Sequence, residues 1–168
     1  MIKFSDIAGE SMVDGKGIRV AVFLQGCPRA CEGCHNPTLQ PAEGGREMEE
    51  ENFARLLLSR ITPLHNGITF SGGEPLMQEK GLFQVLKHLK KENPQLDIWV
   101  YTGYTYEEIK DLPLLKLIDV LVDGPFMIGK KDLNLPFRGS SNQRIIDVES
   151  SLREGKAVEL PEYARASV

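Results

Sequence analysis

Cys27, Cys31 and Cys34 lie within eight residues and are the only three cysteines of the chain. The count is odd and no partner thiol exists elsewhere, so a disulfide is a poor reading. Thiols this close, with Pro28 and Gly33 between them, read as a loop wrapped around a metal. Zinc usually takes four protein ligands, with cysteine pairs at wider separation. His35 could be a fourth ligand, but it directly follows Cys34, and adjacent residues rarely both turn onto one ion. A [4Fe–4S] cluster, normally held by four cysteines, is the better fit. With three thiolates, one iron stays open to an outside ligand, which suits chemistry better than electron storage. Zinc and a plain cysteine-rich loop remain the alternatives.

A second constellation is Ser71-Gly72-Gly73-Glu74-Pro75, directly after the short apolar run 68–70. Glycines without Cβ atoms let a ligand approach the backbone. Glu74 adds a carboxylate at the same strand end, and Pro75 fixes the exit. An ordinary strand-to-helix turn is the competing reading. Gly15-Lys16-Gly17 is only a fragment of a phosphate loop, and a plain turn explains it better. The lone His65 reads as a surface loop residue.

The elements that must position these groups follow from hydrophobic period. Residues 2–4 form a short leading strand, and 6–17, rich in Gly, Ser and Asp, form a loop. Residues 18–25 are apolar and β-branched with one charge, which suits a buried parallel strand. The cysteines follow it at once, at the strand end where α/β proteins collect active sites. A helix spans 47–61, with Phe53, Leu56, Leu57 and Ile61 inward and four glutamates near its positive end. Strand 68–70, helix 82–91 and strand 96–101 come next. Thr105 then caps a helix, and strand 118–122 follows. Residues 127–135 make a surface excursion, and the polar run 138–144 is a solvated loop or a site segment. Residues 145–148 form a last strand, 150–155 a helical turn, and 161–168 a frayed tail.

Such βα repetition implies parallel strands with right-handed crossovers. A closed (βα)8 barrel needs at least about 200 residues. A chain of 168 residues therefore forms one α/β domain, a partial and laterally open (βα) barrel with the cysteines at its mouth. The open side can admit a bulky substrate such as a loop of another protein. With 41% apolar and 26% charged residues the composition is that of a soluble globular protein. A net charge of −4 argues against nucleic acid, and no apolar run is long enough for a membrane. Residues 1–6 lack a signal-peptide core, so a reducing, cytoplasmic location is expected.

Cys27, Cys31 and Cys34, with three and two residues between them, resemble the cluster motif of radical S-adenosylmethionine (SAM) enzymes. Gly72-Gly73-Glu74-Pro75 is similar to the motif that holds the methionine end of SAM in that superfamily. Residues 15–19, Phe23, Gly26 and Asn36-Pro37 resemble the signature of glycyl-radical-enzyme activases. Residues 122–126 and 138–144 resemble activators of anaerobic ribonucleoside-triphosphate reductase. Two positions depart from the common pattern: Gly33, where many members carry an aromatic residue, and Lys16, where many activases carry proline.

The resemblance implies the radical SAM type of barrel, a [4Fe–4S] cluster on the three cysteines, and SAM on the open iron. One electron would split SAM into methionine and a 5′-deoxyadenosyl radical, which would take hydrogen from a glycine of the reductase catalytic subunit. Gly72, Gly73 and Glu74 would hold the methionine amino group, and Thr102 could touch SAM. His35 or Asn36 would lie near the adenine. Asn142 and Arg144 would dock the glycine loop or complete the SAM pocket. A low-potential donor such as flavodoxin or ferredoxin would supply the electron. The alternatives are a small-molecule enzyme of the same superfamily, such as a deazaguanine-forming synthase, and a non-catalytic zinc or iron–sulfur module.

Overall fold

The computed structural model describes residues 1–164, so the end of the expected frayed tail lies outside the described residues. Seven strands form one sheet in the order β3 (Arg46–Met48), β1 (Ile2–Ser11), β2 (Arg19–Leu24), β4 (Gly67–Gly72), β5 (Asp97–Tyr101), β6 (Val120–Asp123) and β7 (Arg144–Asp147). Its centre is β2, β4, β5 and β6, all parallel. The β-branched and apolar content of these segments suits strands buried on both faces. Helices α1 (Glu50–Arg60) and α2 (Glu79–Glu92) cross between them, followed by the short α3 (Tyr106–Ile109) and the 3-10 turn Pro113–Leu117. Thr105 caps α3 through a full capping box with Glu108, as its position before two glutamates predicts.

Alternation sorts the strand side chains into two clusters. Val20, Val22, Leu24, Ile68, Phe70, Ile98, Val100 and Leu121 face the helices and pack against Phe53, Leu57, Leu82, Val85, Leu86 and Leu89. Each such side chain contributes about 1.5–3 kcal/mol when fully buried. Trp99, Val120, Val122 and Ile145 line the other face, covered by Phe137, Leu160 and Tyr163.

Three expectations need correction. The first strand, β1, runs Ile2–Ser11, so the first half of the expected loop 6–17 is strand. Its Gly, Ser and Asp content weakens the local β signal, but the antiparallel ladder with β2, broken by irregularities after Phe4 and Ala8, satisfies its backbone. Residues 46–48, partly assigned to the first helix, form β3 (Arg46–Met48) beside Ile2–Phe4, and α1 starts only at Glu50. The sheet is mixed rather than parallel throughout, because β1, β3 and β7 (Arg144–Asp147) pair antiparallel. A hairpin-like return needs no helical crossover, so the edges need none. The closing helix α4 (Val148–Glu154) ends at Gly155, whose φ of 72° gives the left-handed cap that favours glycine.

Candidate metal centre and ligand cavity

The cysteine loop leaves the C-terminal end of β2 and is fastened at its root. The backbone N–H of Gly26 donates to the Leu39 carbonyl at 2.7 Å, and that of Cys27 to Gln40 at 2.9 Å. Buried Gln25 donates its side-chain amide to the carbonyls of Pro41 (2.7 Å), Thr38 (3.3 Å) and Glu43 (3.4 Å). The segment after the cysteines is thus folded back onto the strand end. Within the loop, the N–H of Cys34 donates to the Cys31 carbonyl at 3.1 Å, around Gly33 at φ 74°. All three thiols are free, partly buried and face one cavity of about 520 Å³. Burial pushes the Cys27 thiol up, opposed by a hydrogen bond from the Arg29 backbone. Among the described residues no three His, Cys, Asp or Glu side chains converge on one metal-ion position. Three soft thiol donors on one cavity wall, with no disulfide among them, fit an iron–sulfur cluster.

Beside the thiols lies the end of β4. Gly72, at φ 102°, and Gly73 line the cavity, yet their absent side chains have a nearer cause. A Cβ on Gly72 would strike the Leu24 backbone, and one on Gly73 the carbonyl of Gly26. The glycines let the ends of β2 and β4 close on each other, and so bring Glu74 beside the cysteine loop.

Glu74 is 1% exposed. Its Oε1 accepts from the Gly103 N–H at 2.7 Å, and its Oε2 from the Leu76 N–H at 3.0 Å and the Thr102 hydroxyl at 2.9 Å. Burial raises its pKa, while these three donors and the charge of Arg29 pull the other way. Thr102 lines the cavity at the end of β5 and holds Glu74 with its hydroxyl.

The opposite wall comes from the segments the sequence describes least well. His35 packs edge-on against Phe126, with ring centroids 5.2 Å apart, and both line the cavity with Asn36. Phe137 adopts φ 58°, rare for an aromatic residue, and its carbonyl accepts from the Tyr101 hydroxyl at 2.8 Å. Its ring meets Trp99 at 5.5 Å. Arg138, Gly139 and Gln143 complete the wall. Gln143 ties the segment together, accepting from the N–H of Gly139 and Ser140 and donating to the Gly124 carbonyl. The polar run 138–144 is thus no freely solvated loop.

Within that run, Asn142 donates to the Pro125 carbonyl at 2.7 Å. Arg144 pairs with Asp123 at 2.6 Å and Glu107 at 2.7 Å. Neither is among the residues lining the cavity, whereas Gln143 between them is. Arg29, Phe137 and Gln143 were not singled out from the sequence. Arg29 occupies a spacer position of the cysteine motif, and Phe137 reaches the site only through its unusual backbone.

A mixed α/β sheet with three thiols and a carboxylate at the C-terminal ends of its parallel strands is the arrangement of a cluster-binding protein. The sequence profile described as a 4Fe-4S single cluster domain matches residues 13–146. The anaerobic ribonucleoside-triphosphate reductase-activating protein of Enterobacteria phage T4 is 37% identical over 140 residues, covering 79% of this chain and 86% of the relative. The protein of that name from Vibrio cholerae serotype O1 is 39% identical over 142 residues, 80% of this chain and 90% of the relative. That from Escherichia coli K12 is 36% identical over 140 residues, with 79% and 90% covered. The solved structure of QueE from Escherichia coli overlays 62% of this chain and 53% of its own, with a TM-score of 0.48 and 17% identity. The chain belongs to the 4Fe-4S single cluster domain family and, within it, to the anaerobic ribonucleoside-triphosphate reductase-activating proteins.

Proposed function

We infer that this chain is the activating enzyme of an anaerobic ribonucleoside-triphosphate reductase and works through a [4Fe–4S] cluster and SAM. The carrying observation is that Cys27, Cys31, Cys34 and Glu74 line one cavity, in a chain whose relatives bear that name. When bound, the cluster supplies the electron for cleavage of SAM that ends in a glycyl radical on the reductase catalytic subunit. Cys27, Cys31 and Cys34 would hold the cluster and leave it open to SAM.

Glu74 orients the amino group. An ionised carboxylate offers about four lone-pair sites. Three already accept protein hydrogen bonds, which leaves one for a ligand ammonium. Gly72 and Gly73 line that approach beside the ligand's amino group, and Thr102 fixes the carboxylate from behind. His35 and Asn36 take the adenine side of the cavity. Asn142 and Arg144 brace the segment carrying Arg138, Gly139 and Gln143, at the rim where the reductase's glycine segment docks or the SAM pocket closes. The sheet curves as a laterally open partial barrel whose open side admits that segment. A reduced flavodoxin or ferredoxin serves as electron donor, in the cytoplasm.

Anaerobic reconstitution with iron and sulfide, followed by SAM, a reductant and a cognate reductase, tests this. The expected result is 5′-deoxyadenosine together with a glycyl-radical EPR signal. A fully loaded protein that leaves SAM intact sinks the reading.

A further inference from the structure

Arg29 stands between Cys27 and Cys31, and its side chain turns inward to the cavity they share. Its guanidinium lies over the ring of Tyr104, 4.5 Å from the centroid. Its Nε is buried and has no hydrogen-bond partner. Gly103 makes room for it: a Cβ there would lie 2.6 Å from Nε and 2.7 Å from Cδ. The charge acts on Glu74 and on the exposed Glu108, yet Arg29 has no ion pair with any carboxylate among the described residues. Two other inward-turned arginines differ. Arg19 is paired with Asp97, and Arg144 with Asp123 and Glu107. The backbone N–H of Arg29 meanwhile bonds the Cys27 sulfur.

We propose that Arg29 is a positioning residue that sets the electrostatic environment of the cysteine site, holding an unpaired positive charge against a cluster on Cys27, Cys31 and Cys34. This rests on the cluster reading above. Adding an electron to a cluster on three thiolates makes an anionic group more negative. A fixed cation nearby favours the reduced form, the more so in a partly buried site. Stacking on Tyr104 holds the guanidinium in place, and with no carboxylate in direct contact, Glu74 offsets its field only in part. A merely structural Arg29 would fasten the loop through its planar shape and would leave the potential alone.

The experiment compares wild type, Arg29→Gln and Arg29→Lys after anaerobic loading with iron and sulfide. Iron and sulfide per chain are measured first, then the cluster midpoint potential by redox titration without SAM. Arg29→Gln is expected to load and to titrate at a more negative potential, with Arg29→Lys returning most of the way to wild type. Equal potentials in wild type and Arg29→Gln overturn the proposal. If Arg29→Gln fails to load, loading restored in Arg29→Lys supports the charge, and loading absent in both overturns it. A wild type that takes up no cluster removes the underlying reading instead, which iron and sulfide analysis separates from the other results.

Discussion

Glu74 carries a buried carboxylate that accepts from two backbone N–H groups and one hydroxyl. Replacing it with Gln keeps the shape and removes the charge opposite a ligand ammonium. A hydrogen bond to a charged group is worth about 1.5–3 kcal/mol. SAM affinity is expected to fall by about one to two decades in an isothermal titration, with cluster content unchanged. The same group makes stability depend on pH. Its folded pKa is raised above the ordinary 4.5 by burial, so the folded state holds a proton that the unfolded state has lost. Stability from this group is therefore present at low pH and lost as pH rises through the raised value. Denaturation of the ligand-free protein should find wild type gaining on Glu74→Gln as pH falls toward 4.5, and a pH-independent difference would refute this. At the thiols the expectation is simpler. Changing Cys27, Cys31 or Cys34 to Ala leaves two thiolates, and a stable four-iron cluster should be lost in iron analysis.

At the scale of elements, the wall opposite the thiols depends on how β7 is pinned to β6. Arg144, at the start of β7, bonds Asp123 at the end of β6 through both Nε and Nη2, and reaches Glu107 of α3. Asp123 is 1% exposed and also accepts from the Tyr106 N–H at the start of α3. Two ion pairs of Arg144 thus join three elements. Breaking a buried pair by removing one partner costs about 3–5 kcal/mol. Arg144 keeps some solvent contact, so Arg144→Ala is expected near the low end of that range in urea denaturation. Asn142→Ala loses a single hydrogen bond to Pro125 and is expected to cost about 1 kcal/mol. An Arg144→Ala protein as stable as wild type would show that the pair is idle.

For the molecule as a whole, the face of the sheet away from the helices is closed by a buried cation. Arg19 is 0% exposed and sits at the N-terminal end of β2. Its Nε donates to Thr69 at 2.7 Å, its Nη1 to Asp97 at 2.9 Å and to the Lys16 carbonyl at 3.0 Å. Its Nη2 donates to the carbonyls of Asp97 and Ile68. Burial draws its pKa down and Asp97 restores part of it. Three strands and the 12–18 connection meet on this one side chain. Arg19→Met should cost about 3 kcal/mol, since acceptors in the interior lose their donor while the partly exposed Asp97 stays hydrated. For a chain of this size that corresponds to a fall in Tm of about 6–12 °C by calorimetry. A shift below about 2 °C would mean that water replaces the guanidinium without loss.

The cysteine spacing, the Gly-Gly-Glu turn and the central βα alternation were legible in the sequence because each is local. Ligand types, turn residues and hydrophobic period are set by neighbours within a few positions. The three thiols and Glu74 could therefore be placed at the C-terminal ends of parallel strands from sequence alone. Other features depend on partners far along the chain. The strand character of residues 6–11 comes from the ladder with β2, against a composition that argues for loop. The return of β7 antiparallel to β6 is decided by Asp123 and Arg144, 21 residues apart. Gly72 and Gly73 proved necessary for the approach of β2, a packing demand invisible in the motif itself. Which residue of the 138–144 run faces the cavity was settled by the φ of Phe137 and the bonds of Gln143. Sequence alone determined which chemistry the chain carries, because donor atoms are a property of residue types. Only the tertiary structure decided which charges stand unpaired beside it, because pairing depends on distances that close after the strands have met.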